Sequence, residues 1–348
     1  MKQDLIQKIQ AIIANQSVPE NELVLQLKAM LDETEWQGSQ LKESKSIDSL
    51  VFDSLTELIS ETNQDNVIKT GFKDFDAQFG GFRLGELVVM GGRPAMGKTQ
   101  LLVNLSLNIS KQKPVLYFTF DLSAFLLTTR FISANSGISV GKILQNELSN
   151  EEKSTLTTLQ KQFSKYNILI NDSGNNSFTS LRAHCQKEIK EHGLKVIVVD
   201  CLQMMSSNKY RNNREQEISH ISRELKNIAK DFNVCVIASS QLSRAAESRG
   251  LQKFPQLSDL RESGAIEQNA DKVIFIYRPE YYGLDMDEEG NSTVGITELL
   301  IAKNRNGIIG KATISNDKNM TKFSDFIGYK TDFTFSKNRY EEIGSSPF

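Results

Sequence analysis

The octet Gly92-Arg93-Pro94-Ala95-Met96-Gly97-Lys98-Thr99 constrains this chain more than any other stretch. It matches G-x-x-x-x-G-K-[ST] in full, between a strand-like run, Glu86–Met90, and a helix-like run, Lys98–Ser110. Each residue type has a physical reason. Glycines let backbone N–H groups turn inward around phosphate oxygens, and the helix N-terminus behind them adds partial positive charge. Lys98 has the reach to touch β- and γ-phosphates, and the Thr99 hydroxyl suits Mg²⁺. The octet, with Gln100 just inside the helix, is the candidate nucleotide-contact segment. The bland alternative is a chance match on an ordinary strand–turn–helix, which the correct flanks disfavour.

The surrounding pattern asks for one fold class. From Gly71 onward, short β-rich runs (115–120, 168–170, 195–200, 234–239, 272–277, 296–303) alternate with amphipathic helical runs (123–136, 151–166, 179–191, 214–231). Runs such as VIVVD (196–200) and VCVIAS (234–239) are apolar on both faces. That predicts an α/β fold, a mainly parallel central sheet covered by helices on both sides. Sheets of this kind take ligands at the C-terminal tips of their strands. Asp200 ends one such strand, where an acid holds Mg²⁺ directly or through water, although an Asp after a strand also caps helices. Asp121 follows Phe118-Thr119-Phe120 and has two equal readings. Its carboxylate either orients a water toward the γ-phosphate or caps the helix that starts near Ser123.

Composition narrows the classes. Of 348 residues, 41 Lys+Arg stand against 43 Asp+Glu, a net charge of −2, which excludes a polycation that coats nucleic acid but leaves room for a local basic channel. Three cysteines (Cys185, Cys201, Cys235) without a CxxC, and three histidines, exclude a zinc finger and a disulfide framework, and the thiols read as buried and reduced. No unbroken apolar start and no run of about 20 apolar residues predicts a signal peptide or a membrane span, so the default compartment is the cytoplasm. Residues 1–45 carry helical periodicity at Leu5, Ile6, Ile9, Ile12 and Ile13. After a polar stretch, Ile47, Leu50, Val51, Leu55, Leu58 and Ile59 form an apolar stripe that either packs within its own domain or docks on a neighbouring subunit. The tail 327–348 is polar and weakly patterned.

The run TGFKDFDAQFGGFRLGELVVMGGRPAMGKT resembles the RecA-like motor domain of DnaB-type replicative DNA helicases. Similar blocks follow in order: VDCLQM (199–204), ISRELK (221–226), ASSQLSR (238–244), SDLRESGAIEQ (258–268) and AKNRNG (302–307). The resemblance divides the chain into a helical region (1–45), a linker helix (46–66), a motor domain (67–326) and a tail (327–348). It implies an ATP- and Mg²⁺-dependent helicase on single-stranded DNA, working 5′ to 3′ as a hexameric ring of identical subunits, with a primase or helicase loader as further partners. By the same resemblance, Lys98, Thr99 and Asp200 look like the nucleotide and metal contacts, and Gln241 like the residue coupling nucleotide state to the DNA loops. Lys303 and Arg305 look like finger cations that reach a neighbouring subunit's ATP, and Arg261, Glu262 and Gly264 like the loop that grips DNA phosphates. Their plain alternatives are a solvated strand end and a capped turn. Arg130, on the helix after Asp121, looks like a further phosphate sensor.

Two departures matter. The family has Glu where this chain has Asp121, and a carboxylate drawn back by about 1 Å costs ~10²-fold in rate. The family also carries a helical collar of well over a hundred residues, whereas 45 residues precede the linker segment here. These departures motivate a competing reading, a nucleotide- and DNA-binding accessory ATPase that does not unwind. A recombinase-type or clock-type ATPase is disfavoured by the DLRESG and K-x-RNG blocks, and a structural protein by the intact Lys98, Thr99 and Asp200.

Overall fold

A computed structural model describes residues 46–59, 66–207, 213–243, 254–260, 264–287 and 289–328, with Ser44 and Tyr210. The chain divides into two compact units at Asn63/Gln64. In the first, α1 (Ile47–Ile59) is the predicted stripe helix. Ile47, Leu50, Val51 and Leu55 line one exposed apolar strip along it. The periodic segment around Leu5–Ile13 and the polar tail from 329 lie outside the described residues.

The second unit opens with a two-stranded ribbon, β1 (Val67–Ile68) and β2 (Phe82–Arg83), around α2 (Lys73–Phe79). Then come β3 (Leu87–Gly92), α3 (Lys98–Ile109), β4 (Val115–Thr119) and α4 (Ala124–Ser136). They are followed by α5 (Val140–Gln145), α6 (Asn150–Phe163), β5 (Ile168–Asn171) and α7 (Phe178–His192). Next are β6 (Val196–Asp200), α8 (Arg214–Phe232), β7 (Cys235–Gln241) and α9 (Gly264–Asn269). Last are β8 (Lys272–Tyr277), β9 (Ile296–Asn304), β10 (Gly310–Asn316) and β11 (Phe323–Asp325).

One nine-stranded sheet runs β11-β10-β9-β8-β3-β7-β6-β4-β5. The six strands from β8 to β5 are parallel, and β9, β10 and β11 extend the sheet antiparallel. The strand periodicity of two sorts the core into two layers. Val88, Met90, Val196, Val198, Cys235, Ile237, Ile274 and Ile276 face Leu101, Leu105, Leu127 and Phe131 of α3 and α4. The alternate residues Leu87, Val89, Ile197, Val199, Val236, Ala238, Val273 and Phe275 face Leu181, Ile218, Ile221, Leu225 and Ile228 of α7 and α8. This is the two-faced sheet that the doubly apolar runs predict.

The sequence pattern missed the β1–β2 ribbon, α2, α5, α9, β10 and β11. Each is seven residues or fewer, too short for periodicity to register. The expectation of three buried thiols needs one correction. Cys185 and Cys235 are buried, with the Cys185 thiol pushed up to about 12 by burial, but Cys201 is only half-buried beside Asp200. Among the described residues, no helix is long and apolar enough to cross a membrane.

Candidate nucleotide site

The octet folds as the turn its glycines permit. Gly97 adopts φ +90° and Ala95 φ +62°, the left-handed region that lets the chain wrap inward before α3 begins. Lys98 lies back across this turn, its Nζ donating to the carbonyls of Gly92 at 2.8 Å and Arg93 at 3.0 Å. A Cβ on Gly92 would stand 3.2 Å from Lys98 Cγ, so glycine gives the stem room. Burial holds the Lys98 ammonium below the ordinary lysine range, with the Asp200 charge opposing that shift. Thr99 Oγ1 makes no hydrogen bond among the described residues and is free to act as a ligand.

Not every residue of the segment turns its side chain to the loop. Arg93 Nη1 donates to the Leu242 carbonyl at 2.9 Å, across the neighbouring strand. Met96 is buried in the core, while Pro94 and Ala95 are exposed. Gln100 is a correction: its side chain is buried and donates to the Thr321 carbonyl at 2.6 Å, which leaves only its backbone for a nucleotide. The cause is helical phase, since Gln100 starts the stripe that meets β10 and β11.

The strand tips beside the loop bring the acids together. Asp200 is buried, with Oδ1 accepting from Ser239 Oγ at 2.5 Å and Oδ2 from the Tyr117 hydroxyl at 3.1 Å. Burial first and Asp200 second push the Tyr117 hydroxyl well above the ordinary phenol range, so it stays a donor to the carboxylate. Arg130 stands near enough for its charge to act against that shift. The capping role offered for Asp121 is not the one taken. Ser123 caps α4 by accepting from Leu126 N, and the Asp172 carboxylate accepts from Ala124 N at 2.7 Å. Asp121 is exposed and makes no hydrogen bond among the described residues, and its charge is felt at Cys201, next to Asp200. Gln241 pairs in register with Gly92, so the end of β7 lies against the start of the loop, and its side-chain amide is uncommitted among the described residues.

Lys303 and Arg305 lie elsewhere. Asn304 pairs with Lys272, and Lys272 with Val88, at the end of the sheet opposite Gly92. Four residues of β3 separate these levels, about 13 Å. Within one chain, therefore, these cations do not face the loop. Lys303 Nζ donates to the carbonyl of Glu267, and Arg305 donates to the Gln268 carbonyl and the Asp271 carboxylate. Burial, then the Arg305 charge, lowers the Lys303 pKa. Arg261 and Glu262 lie outside the described residues, and Gly264 is exposed at the first position of α9.

The model of the DnaB-like helicase C-terminal domain matches residues 67–325, which is most of the chain. This chain belongs to the DnaB-like helicase C-terminal domain family. A probable replicative DNA helicase of Trieres chinensis is 41% identical over 264 residues, 75% of this chain and 57% of that protein. The chain spans 57 to 62% of the length of the curated relatives it matches. Among solved structures, an isolated ATPase domain superposes with a TM-score of 0.73 at 30% identity, covering 82% of this chain and all of that one. A DnaB-like replicative helicase studied with primase superposes with a TM-score of 0.75 at 28% identity, covering 93% of this chain and 76% of that one.

Three groups of this DnaB-like domain escaped sequence reasoning. Gln203 ties two strand tips, its amide donating to Ser240 Oγ at 2.9 Å and its oxygen accepting from Gln241 N at 3.1 Å. Its position in the VDCLQM block was the signal. Tyr117 and Ser239 orient Asp200 from neighbouring strands, a pairing that spacing cannot reveal. The turn 317–322 leans on the loop, where a Cβ on Gly97 would stand 2.8 Å from the Met320 methyl. Asp317 braces that turn by accepting from Thr321 N at 2.6 Å and Lys322 N at 2.8 Å.

Proposed function

We propose that this protein is an ATP-driven helicase or translocase that acts on single-stranded DNA during DNA replication, as a hexameric ring with hydrolysis at subunit interfaces. The observation that carries the reading is the separation of its charged groups. The phosphate loop, Asp200 and Asp121 gather at one edge of the sheet, while Lys303 and Arg305 stand at the other. A cation needed at the γ-phosphate then comes from a second copy, which ties each hydrolysis event to the relation between subunits.

In this reading Thr99 and Asp200 hold Mg²⁺, whose chemistry is to neutralise phosphate charge. Their fit rests on the free Thr99 hydroxyl and on the Asp200 carboxylate fixed by Tyr117 and Ser239. Lys98 swings from the Gly92 and Arg93 carbonyls to the β- and γ-phosphates, and the loop backbone from Gly92 to Thr99 cradles them. Asp121 orients the attacking water, Arg130 and Gln241 sense the phosphate, and Arg261, Glu262 and Gly264 contact DNA. Residues 46–66 link subunits, and a primase or loader binds elsewhere on the assembled protein.

The test is direct. Protein with Mg²⁺-ATP is assayed for phosphate release with and without single-stranded DNA, and for strand displacement on a forked duplex. DNA-stimulated hydrolysis with displacement is expected. Hydrolysis that ignores DNA, together with an intact fork, would leave an accessory ATPase in its place.

A further inference from the structure

Lys303 and Arg305 are both held by one short helix. Lys303 Nζ donates to the carbonyl of Glu267 and, at 3.4 Å, to that of Gln268. Arg305 Nη2 donates to the Gln268 carbonyl, while Nη1 reaches Asp271 Oδ1 at 3.3 Å. These carbonyls belong to the last turn of α9, where unpaired C=O groups and the negative end of the helix dipole attract cations. The opposite end of α9 is Gly264, which Arg261 and Glu262 closely precede in sequence. Six residues of helix span about 9 Å.

The fastening of α9 suits a moving part. Ile266 is its one buried side chain, and Asn269 donates to Ser222 of α8 at 2.9 Å. A side chain at position 264 would meet nothing within 4 Å, so no packing in this chain asks for glycine there. Asp271 is held from behind, with Oδ2 accepting from Leu87 N and Lys226 Nζ, both at 2.7 Å, while Oδ1 faces Arg305. Arg305 itself is 44% exposed, and half-exposed pairs hold loosely. A phosphate oxygen offers a guanidinium stronger, charge-assisted bonds. A small shift of the α9 carbonyls is then enough to pass Arg305 from one to the other.

We propose that α9 transmits the state of DNA at Arg261–Gly264 to Lys303 and Arg305, and that Asp271 is the positioning residue that sets where Arg305 waits. The proposal rests on the finger and DNA-contact roles given above. The double variant Ala265→Gly with Glu267→Gly softens α9 while keeping every cation and the Arg261, Glu262 and Gly264 contacts. Its kcat with oligothymidylate is expected to fall about tenfold, with KM for ATP and affinity for labelled oligothymidylate unchanged. An unaltered kcat overturns the coupling. Asp271→Asn is expected to lower kcat at constant KM, while Lys226→Met, which removes the other charged partner of Asp271, keeps it. Equal losses in both would reduce Asp271 to a structural brace and remove its positioning role. Arg305→Ala separates the premises. If it retains the full DNA-stimulated rate, the finger role fails and the coupling with it. If it loses that rate while the α9 variant keeps it, the coupling alone fails.

Discussion

Lys98 sits where burial works against its own charge, and a phosphate would reverse that balance. The free site therefore has a lysine pKa below the ordinary range, and the nucleotide-bound site a higher one. Between the two values, binding takes up a proton, and nucleotide affinity falls as pH rises through the free-site value. Calorimetry of an ATP analogue in buffers of different ionisation enthalpy should detect this uptake above neutral pH and lose it in Lys98→Met. Asp121 is the second test at this scale. Its carboxylate is exposed and has no capping duty, so lengthening it breaks nothing in the fold. Asp121→Glu should speed hydrolysis, up to about 10²-fold if roughly 1 Å of reach limits the native residue. Asp121→Asn should slow it sharply, and single-turnover phosphate release distinguishes the two.

The elements around the loop depend on contacts from distant parts of the chain. Asn104 on α3 donates to the Gln100 carbonyl at 2.8 Å and accepts from Phe323 N at 3.1 Å. Gln100 and Asn104 both donate to Thr321, so the turn 317–322 is fastened to the helix that carries Lys98. Asn104→Ala would leave the buried Phe323 N–H unpaired, at a cost of about 1–3 kcal/mol. Urea unfolding should report that loss, and the Met320 contact beside Gly97 should loosen with it. None of this was legible in the sequence. The helix 98–110 was, because Leu101, Leu102 and Leu105 recur at helical spacing, but periodicity does not say what a polar residue inside such a helix touches.

In the whole molecule, the phosphate loop and the Lys303–Arg305 pair occupy opposite ends of one sheet. If the pair serves another copy, two crippled variants can complement. Lys98→Ala lacks a working loop and Arg305→Ala lacks a finger, so each alone should be inactive. In a 1:1 mixture, about a quarter of head-to-tail interfaces join an intact loop to an intact finger. ATPase activity should then reappear on mixing and scale with the product of the two subunit fractions. Activity that never returns would place Arg305 in the service of its own chain.

The sequence by itself determined the layered sheet and the identity of the loop. Those follow from local rules: two-faced apolar runs make buried parallel strands, and a Gly-rich turn before a Lys-Thr helix start binds phosphate. The blocks from 199 to 307 also carried the family. Only the tertiary structure decided which groups meet. It turned Gln100 toward Thr321, gave the α4 cap to Ser123 instead of Asp121, and placed Tyr117 and Ser239 on Asp200. It also set Lys303 and Arg305 on the end of α9. The reason is physical: hydrogen-bond partners across a sheet are chosen by strand order and register, and neither is written in the spacing of a single chain.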